Sequence, residues 1–257
     1  MRIFVIYFLS ILLVSCSSKS EKKNQPTNTQ TKVKTKQQKA PEKPKIEWPQ
    51  PGKIEEFFSK YGKENPETKV KLSTRLGDII IQLYEDTPIH RANFIHNIKR
   101  GLYEKTIFYR VVPKFMIQGG NSDFDKTLEM RDDNSSYYIP NECKPNHIHK
   151  RGAIAMAMSY TDNPKLKSAQ YSYYIVIGDL MDDAGLDATE KEYDVTIPEV
   201  NRKVYRKIGG TPHLDGVHTV FGEVIEGMDV VEAIANENRD SSDWPVNDVI
   251  ISYEVLE

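Results

Sequence analysis

The sequence predicts an all-β core, and three observations carry that expectation. Short segments at residues 70–83, 106–118, 153–158, 173–177 and 249–255 are rich in Val, Ile, Tyr and Phe. The first of them alternates apolar and polar residues with a period of two. Only two later segments repeat at helical spacing, and they are not interleaved regularly enough with the strands for a doubly wound sheet. A folded part of about 190 residues is large enough to be held by its own apolar core.

In chain order, Trp48-Pro-Gln-Pro-Gly52 reads as a stiff connector. Ile54 to Tyr61 follows as a short helix whose sticky side is Ile54, Phe57, Phe58 and Tyr61, stopped by Gly62. Packing on the domain surface is its ordinary role, and docking a partner is the alternative. Val70, Leu72 and Thr74, a turn at Leu76-Gly77-Asp78, and Ile79 to Leu83 form a hairpin. Thr87 is placed to cap a helix with Pro88 at its first position. Ile89, Ala92, Ile95 and Ile98 are its buried stripe, and Gly101 stops it. Strands are expected at Thr106 to Val112, Phe115 to Gln118, Ala153 to Met158, Tyr173 to Ile177 and Val249 to Val255. A second helix follows Gly227, with Met228, Val231 and Ile234 on one face. Residues 180–208 are strongly charged and read as a surface helix with a flanking loop at the rim.

The chain opens with Arg2, an apolar run from Ile3 to Val14, and Ser15-Cys16. The run falls short of the ~20 apolar residues of a membrane-spanning helix, so residues 1–16 read as an export signal. Leu13-Val14-Ser15-Cys16 resembles the bacterial lipobox, which makes Cys16 the expected lipidation site; an ordinary signal peptide with an incidental cysteine is the alternative. Residues 17–50 are expected to be a flexible Lys-rich tether. Residues 17–45 hold nine lysines against Glu21 and Glu42, a net of +7, whereas the whole chain is −2 and residues 46–257 carry −10. A basic tether beside an acidic domain suits an anionic membrane surface. The lysines lack interleaved aromatics, so no nucleic-acid partner is expected. Cys143 is then a lone thiol, expected to be buried and structural.

The most informative stretch is Phe108-Tyr-Arg-Val-Val-Pro-Lys-Phe-Met-Ile-Gln-Gly-Gly120. It sets Arg110, a cation that cannot be lost, among Phe108, Val111, Val112, Phe115 and Met116. A buried unpaired cation is costly, so the guanidinium has a partner, which can be a ligand. Otherwise Arg110 is a strand-edge residue whose stem packs while its head reaches water.

Four ordered blocks resemble the cyclophilin peptidyl-prolyl cis/trans isomerases: Thr87 to Phe94, Phe108 to Gly120, Lys150 to Ala157, and His213 to Gly222 followed by Glu223 to Asp229. The resemblance covers residues 70–257. It implies a closed eight-stranded antiparallel barrel capped by two helices within residues 67–257, with residues 51–66 as a short helical extension and an insertion at about 180–208. It also implies catalysis of rotation about Xaa-Pro bonds, proline-containing polypeptides as partners, and no cofactor. Arg110 matches the catalytic arginine. Phe115 and Met116 match the lining of the proline pocket, Leu214 and His218 close another side, and Gln118 bonds the substrate backbone.

The chain departs from the family pattern in places. Met158 falls where an asparagine usually contacts substrate through its main chain, and Ser159 beside it is counted among the substrate-binding residues. Tyr109 replaces a common histidine. Gln170-Tyr-Ser-Tyr-Tyr-Ile-Val176 replaces a Ser-Gln-Phe segment; read ungapped, this sets Tyr173 in the pocket and Ser172 beside it, whereas a slip of two residues recruits Gln170 and Tyr171. His213 stands where some members carry a tryptophan that binds cyclosporin, so weak binding of that drug is implied.

Such an enzyme needs no covalent step. Twisting the bond frees the prolyl nitrogen's lone pair, and a donor that favours the twisted state lowers the barrier. A ~10⁵-fold acceleration needs about 7 kcal/mol, more than one hydrogen bond supplies, so a grip on both sides of the bond is required. The chemical alternative is a proline-binding module or chaperone with little turnover. His147-Ile-His149 and the pair His213 and His218 lack patterned carboxylates, so no metal is expected. A phosphate-binding Gly-rich loop, a nucleophile elbow and Cys-x-x-Cys are all missing from the sequence. Together these readings describe a monomer that assists folding of exported proteins, lipid-anchored on the periplasm-facing side of a bacterial membrane.

Overall fold

The computed structural model describes residues 47–132 and 136–256. The expected export signal, Cys16 and the expected tether as far as residue 46 lie outside the described residues. Eight strands close into one antiparallel barrel: β1 Lys69–Thr74, β2 Gly77–Leu83, β3 Thr106–Val112, β4 Met116–Asn121, β5 Ala153–Met156, β6 Tyr173–Val176, β7 Val220–Glu226 and β8 Val249–Val255. The order around it is β1-β2-β7-β5-β6-β4-β3-β8, with β8 returning to β1. Closure leaves no unpaired edge.

The seventh strand was not expected from the sequence. Gly222 interrupts its apolar pattern, yet the fold requires glycine there, because a Cβ would come within 2.5 Å of the Gln82 carbonyl oxygen. Alternation then fills two regions. Val70, Leu72, Ile79, Ile81, Phe108, Ile117, Tyr173, Ile175 and Ile251 fill the interior. Met116, Ala155, Tyr174, Val176 and Val220 form a second cluster on the outer face, with Leu214.

Among the described residues there are six α-helices where two in the domain, one in the extension and one in the insertion were expected. The extra ones are α3, Asp125–Asp132, and a second helix in the insertion. Helix α2, Pro88–Lys99, and α6, Met228–Ala235, pack on the barrel as the pattern implied. Thr87 does not cap α2; its hydroxyl donates to the Tyr84 carbonyl at 3.4 Å. The cap comes instead from Glu142, whose carboxylate accepts from the Ile89 and His90 N–H groups at 3.1 and 2.8 Å and meets His90 Nδ1 at 2.6 Å.

Nor does α2 show one stripe: His90, Arg91, Asn93, His96 and Asn97 are buried along with the apolar residues. Two parts of the chain cover these polar residues: α1, Ile54–Glu64, lies over Arg91 and His96, while Glu142, Ser168 and the Gln170 carbonyl bond His90, Asn93 and Asn97. Gly62 does not stop α1. It lies inside the helix, where its missing side chain allows close approach; a Cβ there would sit 3.1 Å from the Ala92 Cβ. Trp48, Phe57, Phe58 and Tyr61 set their rings around His96. Burial pushes the His96 pKa down to about 4. No helix among the described residues is long and apolar enough to cross a membrane.

Residues 180–208 form two helices, α4 Asp183–Tyr193 and α5 Glu199–Ile208, rather than one. They share a small core of their own, Leu186, Ile197 and Tyr205 with Ile148.

Candidate active site

Arg110 and Gln118 face each other across β3 and β4. A bulge at Tyr109 breaks the register there, so Tyr109 and Arg110 are both half-buried instead of alternating inside and out. Phe108 and Val111 point into the barrel and do not wall the guanidinium, which corrects the expectation of a cation enclosed by apolar neighbours. The Arg110 side chain is 42 % exposed, and its Nε donates to Asp243 Oδ2 at 3.4 Å. Asp243 is held in turn: the Val111 N–H donates to its carbonyl at 2.9 Å, and Arg239 lies 3.5 Å from its other carboxylate oxygen. The Arg110 guanidinium carbon sits 6.0 Å from the Phe115 ring centre.

Beneath this cation lies a cavity of about 160 Å³. Phe115, Met116, Gln118, Met158, Leu214 and His218, all positions the resemblance implied for the site, line it together with Arg110. Ala157, Tyr160 and Tyr174 also line it; none was among the expected site residues, although Ala157 closes the matched block that begins at Lys150.

Tyr173 is not a wall of the pocket. It is fully buried inside the barrel, where its hydroxyl meets that of Tyr253 at 2.7 Å. Paired residues of antiparallel strands share a face, and the register sets Gln118 opposite Tyr174 and Gly119 opposite Tyr173. Tyr174 therefore faces the site. Ser172, two residues away on that same face, accepts from Gln118 Nε2 at 3.1 Å and meets the Tyr109 hydroxyl at 2.5 Å. Gln118 Nε2 also donates to that hydroxyl at 2.5 Å. This triangle fixes the Gln118 amide, with Tyr109 and Ser172 behind it rather than in the cavity. Gln170 and Tyr171, the alternative register, pair with each other at 2.8 Å away from the cavity.

Ser159 sits in an exposed turn where it accepts from the Thr161 N–H at 3.1 Å, and it does not reach the pocket. His213 is outside the cavity as well, with its ring stacked on Phe115 at 6.1 Å.

His218 is 7 % exposed, and burial, with His149 nearby, pushes its pKa down to about 4. A neutral ring explains its two contacts: Nδ1 donates to the Met156 carbonyl at 3.3 Å, and Nε2 accepts from the Tyr160 hydroxyl at 2.7 Å. Behind the wall, the Tyr174 hydroxyl meets His149 Nε2 at 3.0 Å, and His149 Nδ1 meets Asp215 Oδ1 at 3.0 Å. His147 does not share a strand face with His149; it stacks on Tyr84 at 4.0 Å and meets Asp86 at 2.6 Å. Among the described residues no group of three or more His, Cys, Asp or Glu is arranged to hold a metal. Cys143 is free and half-buried rather than fully enclosed, and burial pushes its thiol pKa up. The site can therefore grip an apolar ring, offer it one fixed cation, and orient an amide beside it.

Comparison with known proteins agrees. The family model described as "Cyclophilin type peptidyl-prolyl cis-trans isomerase/CLD" matches residues 69–255. A Staphylococcus saprophyticus protein named for peptidyl-prolyl cis-trans isomerase activity is 34% identical over 195 residues, covering 74% of this chain and 93% of its own length. Its similarly named counterpart in Staphylococcus haemolyticus is 34% identical over 191 residues, covering 73% and 90%. A cyclophilin of Cryptosporidium parvum has the same fold, with a TM-score of 0.53 at 20% identity over 74% of this chain and 98% of that one. That protein has also been crystallised in the presence of the dipeptide Ala-Pro.

Proposed function

The chain belongs to the cyclophilin-type peptidyl-prolyl cis-trans isomerases, and on that premise we propose which residues of this member twist the Xaa-Pro bond and where it works. Its substrates are proline-containing polypeptides. Rotation about their Xaa-Pro bonds takes tens to hundreds of seconds unaided.

Proline enters the cavity between Phe115, Met116, Leu214 and His218, which holds the ring while the preceding carbonyl rotates. Arg110, above that cavity, donates to the prolyl nitrogen as it becomes pyramidal. That hydrogen bond exists only in the twisted state, so it raises the rate rather than binding alone. Gln118, steadied by Tyr109 and Ser172, bonds the substrate backbone, and Met158 contributes from the opposite wall. One observation carries this reading: a guanidinium held loosely by Asp243 stands over an apolar cavity of ring size.

The test compares the full-length protein with Arg110→Ala on a short Xaa-Pro peptide. The variant should fold normally and lose at least about tenfold in rate, as expected for one charge-assisted hydrogen bond. Equal rates would remove Arg110 from this role.

The protein works outside the cytoplasm on exported polypeptides, as a monomer tethered by lipid at Cys16. The apolar run ending at Cys16 and the +7 segment beside a −10 domain support this placement. A site assembled wholly within one chain supports the monomer, which light scattering checks. Cys16→Ser should abolish labelling by radioactive palmitate; labelling that persists would refute the anchor.

A further inference from the structure

The insertion is bolted to the site rather than hung from it. Arg202 on α5 bridges Asp187 and Glu190 on α4, the latter at 3.0 Å. The Asp182 carboxylate caps α4 by accepting from the Gly185 N–H at 2.8 Å. The Tyr205 hydroxyl donates to Asp215 Oδ2 at 2.6 Å, and Asp215 directly follows the 3-10 turn Pro212–Leu214 that carries His213 and Leu214. These contacts fix Tyr193, the last residue of α4. Its ring stacks on His213 at 4.5 Å with 23° between planes, and His213 stacks on Phe115 at 6.1 Å with 20°. Phe115 is a wall of the cavity.

A row of nearly parallel rings therefore leaves the cavity and ends on Tyr193, which is 48 % exposed although the insertion has a core of its own to bury it in. Two ring steps of 6.1 and 4.5 Å match about three residues of extended peptide at ~3.3 Å each. Burial, with His149 nearby, holds the His213 pKa below its ordinary value, so the middle ring is neutral at neutral pH and accepts apolar neighbours.

We propose that Phe115, His213 and Tyr193 form an extended subsite that selects polypeptides with an aromatic side chain one to three residues to one side of the proline, Tyr193 of the insertion being the specificity-determining residue. Aromatic pairs in offset or tilted contact are favourable beyond the area they bury. A peptide seated in the cavity must leave along a wall, and this wall is continuous with the cavity. The inference rests on the isomerase site described above.

The test measures kcat/KM of the full-length protein on Ala-Ala-Pro-Ala-Ala, and on versions carrying Phe two residues before or two residues after the proline. The wild type should favour one of the two Phe peptides over the alanine peptide by about three- to tenfold, the range one aromatic contact provides. That ratio should fall to near one in Tyr193→Ala and survive in Tyr193→Phe, which keeps the ring. A wild type without preference, a preference that survives Tyr193→Ala, or a proportionate fall on all three peptides would overturn the subsite. Failure of the wild type to accelerate the alanine peptide would instead overturn the site reading, and the subsite with it.

Discussion

Acidification should destabilise this protein through His218, and the size of the effect follows from its surroundings. The ring is buried and neutral, with Nδ1 donating to Met156 and Nε2 accepting from Tyr160, and its pKa is about 4. In the unfolded chain a histidine titrates near 6.5. Below that value the unfolded state takes up a proton that the folded state refuses, so unfolding gains. Stability is therefore full above about pH 6.5 and is lost as pH falls towards 4. By linkage, one such histidine lowers stability by about 2 kcal/mol between pH 7.5 and pH 5. In a domain of this size that is a fall of roughly 4–8 °C in Tm. His96, also near 4, adds a similar slope, so the two must be separated. Thermal unfolding at both pH values should be compared for the wild type and His218→Gln, whose amide bonds both partners without titrating. The wild type should lose about 2 kcal/mol more than the variant over that interval. Identical losses would show that His218 is not a neutral buried group and would remove the reason for its orientation in the pocket wall.

Two further outcomes follow from the same structure. Glu142→Ala leaves the Ile89 and His90 N–H groups and the buried His90 ring without their acceptor, and urea unfolding should show a loss of about 2–3 kcal/mol; less than about 1 kcal/mol would mean that the distant carboxylate is not the effective cap. Asp243→Ala frees the Arg110 guanidinium from a half-exposed partner, so stability should change by less than about 1 kcal/mol while kcat/KM falls about two- to fivefold. A fall as large as that of Arg110→Ala would assign Asp243 a direct part in the reaction.

Much of this protein is legible one residue at a time. The alternation of Val70, Leu72, Ile79 and Ile81, and the block from Phe108 to Gly120, state their roles locally, because the pleat and the turn at Pro113 are decided by neighbours in sequence. Arg110, Phe115, Met116 and Gln118 converge on one cavity for that reason, since a single hairpin carries all four. Four ordered blocks also fix the family, and hence the barrel.

The rest depends on partners far along the chain. Whether Tyr173 or Tyr174 faces the site is a question of parity, and only pairing with Gln118 on β4 answers it. Asp243 lies 133 residues from the arginine it steadies, and Glu142 lies 53 residues from the helix it caps. The polar side of α2 becomes interior only because α1 and the segment carrying Glu142, Ser168 and Gln170 lie on it, which no property of α2 announces. The insertion is the same case: its charges mark it as a rim element, but that Tyr193 ends against His213, beside the proline pocket, was decided by the packing of Leu186 and Tyr205. Local propensity acts over a few residues, whereas burial, capping and ring stacking act wherever the closed barrel brings surfaces together.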